Sequence, residues 1–165
     1  MDDFSEKRKR AAELERQKDL AGAFDIYSAL AARGDAFSQC KLGMYYYNGT
    51  GIGKSFTDAA HWFGKAAAQG DPFSQNKLGD CYFDGEGVKQ SFEKAAEWYK
   101  KAAIQGESEA MFSLGYLYEN GKGTDRDYSE ALRWYKMAQA RGDGDAAAAI
   151  ARVEQLIKDH PEYDG

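Results

Sequence analysis

At 165 residues the chain has the length of one domain with a continuous core, and with 43% hydrophobic and 14% aromatic residues it should be ordered away from its ends. A formal charge of −5 argues against nucleic acid as the main ligand, because phosphate binding draws on a basic face. No apolar run approaches the roughly 20 residues that cross a bilayer, and the polar opening MDDFSEKRKRAAELERQ lacks the apolar stretch of a secretion signal, so the expectation is a cytoplasmic protein without membrane insertion.

Residues 1–35 show helical apolar spacing at Leu14, Ala23, Ile26, Tyr27, Leu30 and Ala31. Asp19 suits the start of a second helix and Gly34 a left-handed end. The basic run Lys7, Arg8, Lys9 and Arg10 lies among Glu6, Glu13 and Glu15 and reads as the solvated side of the first helix. Aligning Gly34 with Gly70 puts Ala23 over Ala59 and Tyr27 over Phe63, so this segment is a divergent first hairpin that closes one end of a stack.

Residues 36–142 then repeat with a step of 36. Leu42, Leu78 and Leu114 keep that step, as do Trp62, Trp98 and Trp134 and the glycines Gly34, Gly70, Gly106 and Gly142. Such in-register copies mean stacked units, each too poor in core to stand alone. Each copy reads helix, glycine loop, helix, with helices predicted at about 36–48, 56–69, 72–84, 92–105, 108–120 and 128–141. Asp35, Asp71 and Glu107 open the first helices, with Pro72 where proline costs nothing, and Gly49, Gly85 and Gly121 close them. Ser55, Ser91 and Asp127 open the second helices. A last helix at about 144–158, within a closing segment 143–160, ends before Pro161. The fold expected is all-α, an α-solenoid of about nine helices in one domain.

The mid-helix glycines Gly43, Gly79 and Gly115 each cost about 1 kcal/mol against alanine. Their recurrence suggests close helix approach, small residue against small residue, opposite Ala59, Ala95 and Ala131 and Ala66, Ala102 and Ala138. The neighbouring rings Trp62/Phe63, Trp98/Tyr99 and Trp134/Tyr135 would fill the outer gaps and reach the next unit.

Candidate chemistry is sparse. The stretch Asn48-Gly-Thr-Gly-Ile-Gly-Lys-Ser55 looks like a phosphate-binding loop, but that motif needs glycine at Asn48 and a preceding strand. The sister loops keep only G-x-G, which reads as a turn device, so no nucleotide or other cofactor is expected. His61 and His160 are the only histidines, and no HExxH or Cys-x-x-Cys spacing exists, so neither a metal site nor a catalytic set is expected. Cys40 and Cys81 occupy inequivalent repeat positions, which fits reduced thiols in a reducing compartment.

The residues Leu78, Gly79, Tyr82, Gly85, Gly87, Val88, Lys94, Ala95, Trp98, Tyr99, Lys101, Ala102, Ala103, Gln105 and Gly106 resemble the Sel-one-like repeat, a relative of the tetratricopeptide repeat. The resemblance covers about residues 36–142, and the third copy departs from it at Thr124, Met137 and Gln139. It implies a right-handed superhelix of helix pairs that serves as a scaffold or adaptor for other proteins. Secreted members carry paired cysteines in every repeat. Cys40 falls at one such place, but Ala32 stands at its partner position, so that disulfide ladder is not expected.

Periodicity gives each first helix two apolar sides, with Ser38, Leu42, Tyr45 and Tyr46 sharing the core side. The opposite side, which in the related repeats lines the concave groove, carries Phe37, Cys40, Met44, Tyr47 and Asn48. Its equivalents are Phe73, Asn76, Asp80, Phe83 and Asp84 in the second copy, and Glu109, Phe112, Tyr116, Glu119 and Asn120 in the third. Rings give contact area at low entropic cost, amides can pair an extended backbone, and carboxylates favour Lys or Arg. The expected partner is therefore a peptide or protein with basic and apolar groups, bound without catalysis. Two further possibilities are an inhibitor or immunity-type protein that blocks a basic enzyme, and a hydrolase that uses Asp80, Asp84 and Glu119.

Overall fold

A computed structural model describes residues 3–163 as nine α-helices and a terminal 3-10 turn, with no strand among them. The helices are α1 (Asp3–Arg16), α2 (Leu20–Ala32), α3 (Ala36–Asn48), α4 (Phe56–Ala68), α5 (Pro72–Asp84), α6 (Phe92–Ala103), α7 (Ser108–Asn120), α8 (Tyr128–Ala140) and α9 (Ala146–Asp159). Each packs chiefly on the helix before it and the helix after it, which is the contact pattern of a linear stack of hairpins. The core runs along the whole stack. Tyr27, Phe63 and Tyr135 are fully buried and Tyr99 nearly so, over the alanines Ala23, Ala59, Ala95 and Ala131.

Local chemistry explains the helix ends. The carboxylates of Asp35 and Asp71 accept the backbone N–H of Ser38 and Ser74 at 3.0 and 2.8 Å. Glu107 occupies the same position without a side-chain cap. Ser55, Ser91 and Asp127 cap α4, α6 and α8. Gly49, Gly85 and Gly121 end α3, α5 and α7 in the left-handed region that favours glycine. The second helices stop short of the predicted ends. α9 begins at Ala146, two residues later than predicted, because Asp143, directly after the Gly142 break, accepts the N–H groups of Asp145 and Ala146 at 3.0 Å each.

Two glycine roles differ from the sequence expectation. Gly43, Gly79 and Gly115 meet rings: a Cβ on Gly79 would lie 2.6 Å from the Tyr99 ring, and Gly43 and Gly115 meet Phe63 and Tyr135 in the same way. The small residue accommodates a large one, where an alanine contact was predicted. The second glycine of each G-x-G is more than a turn device. A Cβ on Gly87 would collide with the backbone of Phe56 at the start of α4, and one on Gly123 with the backbone of Phe92 at the start of α6. Each loop thus lies directly on the hairpin before it.

Amides also join the hairpins. The buried Gln39 and Gln75 donate to the carbonyls of Ala31 and Ala67, each at 3.2 Å. Each in turn accepts an amide N–H from the far end of its own hairpin, Gln69 at 2.7 Å and Gln105 at 2.8 Å. Cys40 and Cys81 are free thiols, pushed up by burial to about 11 and about 12 respectively.

Candidate interaction face on the first helices

On the core side of the first helices Ser38, Leu42 and Tyr45 are buried as predicted, while Tyr46 is half-buried. The opposite side forms two open hollows, each of about 350 Å³. The first, between α3 and α5, is lined by Phe37, Cys40, Met44, Asn48 and Phe73, with Glu15, Lys41, Tyr45 and Thr50 at its margins. Phe37 is 46% exposed there, the most open ring of the face. The second, between α5 and α7, is lined by Asp80, Phe83, Asp84, Phe112 and Tyr116, with Tyr99 and Ser113.

The other five candidates sit elsewhere. Tyr47 is half-buried, packed edge-on against Phe56 with ring centroids 5.3 Å apart. Asn76 is fully buried: its amide donates to Glu109 at 2.9 Å, and its Oδ1 has no protein partner. Glu109 is exposed and pairs with Lys77 at 3.2 Å. Asn120 turns back to the Tyr116 carbonyl at 2.9 Å. Glu119 is buried, because Arg152 of α9 places Nε and Nη2 on its two oxygens at 2.6 and 2.8 Å, and the Tyr135 hydroxyl donates to it at 2.7 Å. Asn76 and Glu119 therefore offer nothing to an incoming molecule. The reason is tertiary in both cases: the side chain that covers them comes from the next unit.

The electrostatics follow from these contacts. Burial alone would push the Glu119 carboxyl up, but the hydrogen bonds from Arg152 and Tyr135 and the guanidinium charge hold it below the ordinary value. Asp80 goes the other way. Burial pushes it above the ordinary range, against the pull of Lys77 at 2.9 Å and of the Tyr99 hydroxyl at 2.8 Å. Tyr27 and Tyr45 likewise donate to Glu15, at 3.3 and 3.1 Å. Buried tyrosines at the 36-step position thus each find a carboxylate, while Phe63 stands where neither Met44 nor Tyr47 could supply one. With Glu119 committed to Arg152, the three-acid set for hydrolysis loses a member.

Lysines were missed at the sequence level. Lys41 lies over Phe37 at 6.0 Å, Lys77 over Phe73 at 5.6 Å, and Lys54 over Tyr47 at 5.7 Å. Lys122 lies over Phe83 at 5.6 Å, Phe92 at 5.2 Å and Tyr116 at 5.3 Å. The signal was present for two of them, since Phe37/Lys41 and Phe73/Lys77 are i, i+4 pairs on one helix face. Among the described residues no group of three or more His, Cys, Asp or Glu side chains could hold a metal ion, and no helix is long and apolar enough to cross a membrane.

Stacked antiparallel hairpins, uniform in step and joined loop to hairpin, define an α-solenoid of helical repeats. The family described as Sel1 repeat matches residues 36–71, 72–107 and 108–143, and the chain belongs to that family. Its structure is similar to that of a Sel1 repeat protein from Oxalobacter formigenes, with 33% identity and a TM-score of 0.83 over 96% of this chain and 63% of that one. It is also similar to a protective antigen of uropathogenic Escherichia coli strains that displays the same repeat fold, with 30% identity and a TM-score of 0.86 over 90% of this chain and 33% of that one. Cysteine rich protein B of Helicobacter pylori matches at 25% identity and a TM-score of 0.62, over 79% of this chain and 93% of that one. The chain thus spans 63% and 33% of the length of the first two. No curated protein sequence matches it. Sel1 repeat proteins generally act as scaffolds for protein interaction.

Proposed function

We propose that the chain is a non-enzymatic adaptor that holds an extended segment of a partner protein along the face made by α3, α5 and α7. One observation carries this: two open hollows, one largely apolar and one with Asp80 and Asp84 among its rings, lie one repeat apart on that face. Open rings beside carboxylates give both buried area and orientation to a segment with apolar and basic side chains. The acids of the face alternate with Lys41, Lys77 and Lys122, which favours short-range pairing over long-range attraction of a basic enzyme.

The test uses random dodecapeptides displayed on phage and selected on the immobilised chain. Selected peptides should bind the Phe37→Ala variant at least about tenfold more weakly, while its helical circular dichroism is unchanged, since Phe37 is exposed. Selected peptides that bind this variant and a Tyr116→Ala variant as well as the parent would refute the assignment to this face.

A further inference from the structure

We propose that the hollow between α5 and α7 is a recognition pocket for one arginine side chain of the partner segment. This rests on the reading of the first-helix face given above and adds a specific occupant to it.

Asp84 is the last residue of α5, where a negative charge opposes the helix dipole. The sister helices α3 and α7 end in Asn48 and Asn120 at the same position. Asp84 is exposed and makes no hydrogen bond or ion pair among the described residues, so nothing in the fold offsets that local cost. Its charge points to a ligand. One turn earlier Asp80 lines the same hollow, its two oxygens held by the Tyr99 hydroxyl at 2.8 Å and Lys77 at 2.9 Å. Counting Glu109, three carboxylates face Lys77 and Lys122 here, which leaves one negative charge in excess.

The walls suit a planar cation. Phe83, Phe112 and Tyr116 line the space around the two acids, and rings of this kind take a guanidinium flat against them while its fork meets a carboxylate. A compact ammonium gains less, because it has neither a planar face for these rings nor a fork for the carboxylate, and Lys122, which lies over Phe83 and Tyr116, gives way to either cation. The chain itself shows the arrangement one repeat later, where Arg152 forks onto Glu119 and the buried Tyr135 holds the same carboxylate. In the hollow the equivalent tyrosine, Tyr99, holds Asp80, whose other oxygen already meets Lys77, so the carboxylate left for a guanidinium supplied from outside is Asp84. The first hollow has Met44 and Asn48 at the positions of Asp80 and Asp84, so it takes an apolar side chain instead.

The experiment titrates the full chain with N-acetyl-arginine methylamide, followed by amide NMR shifts, beside the isosteric uncharged citrulline analogue and the lysine analogue. The arginine probe should give saturable shifts centred on residues 80–84 and 112–116, with citrulline and lysine at least about tenfold weaker. Asp84→Asn should abolish the preference without loss of helicity, since it installs the side chain found at the sister positions. Equal response to citrulline, or a preference untouched by Asp84→Asn, overturns the pocket. Phage-selected peptides that depend on Phe37 but carry no arginine also overturn it and leave the wider face assignment standing. Failure to select any peptide removes both.

Discussion

A single glycine can decide the sign of a substitution. Gly79→Ala would ordinarily gain about 1 kcal/mol of helix propensity. Here the new Cβ lies 2.6 Å from the Tyr99 ring, itself fixed by its bond to Asp80, so overpacking of about 1–3 kcal/mol wins. Gly64 in α4 has nothing within 4 Å of such a Cβ, and Gly64→Ala should stabilise by roughly 0.5–1 kcal/mol. Urea unfolding of the two variants should therefore move in opposite directions. Glu119 gives a pH dependence. Its carboxyl is held below the ordinary value of 4.5 in the folded chain, so its pairing stabilises the fold above that pH and is lost as pH falls through the lowered value. Arg152→Ala should cost about 1.5–3 kcal/mol at neutral pH, towards the lower end because half of Arg152 is in water. Stability curves of Glu119→Gln should be flatter than the parent below about pH 4.5, so that the gap between the two is full at neutral pH and closes in acid.

At the scale of the helix, the sequence was legible wherever the cause is local. Caps at Ser55, Ser91 and Asp127 and breaks at Gly49, Gly85 and Gly121 are decided within four residues, and the structure places them as expected. The two sides of each first helix were legible for the same reason, because periodicity needs no neighbour. What faces solvent was not. Asn76 lies on the predicted side yet is buried, since α7 brings Glu109 against it. Glu119 is closed by an arginine 33 residues away on a helix whose sequence repeats nothing that would announce it. The ring under each mid-helix glycine was hidden too, because glycine and ring sit on different helices and their spacing carries no signal. The lysines over Phe37 and Phe73 were readable as i, i+4 pairs, whereas the contact of Lys122 with Phe83 crosses between repeats.

For the whole stack, the loops set how units depend on one another. Gly123 lies on the backbone that starts α6, and a backbone cannot step aside as a flexible side chain can. Gly123→Val should therefore loosen the α7–α9 end as a block while α1–α4 remain protected, as expected of a chain whose stability is a sum of units and nearest-neighbour terms. Hydrogen exchange resolved by segment reads this directly: uniform loss of protection along the whole chain would contradict it. The lysines over the open rings have a further consequence. An arriving ligand covers aromatic surface that ammonium groups of the chain already shelter in part, so docking is partly an exchange of one cover for another. The heat capacity change on binding should then be smaller than the ring area alone would give.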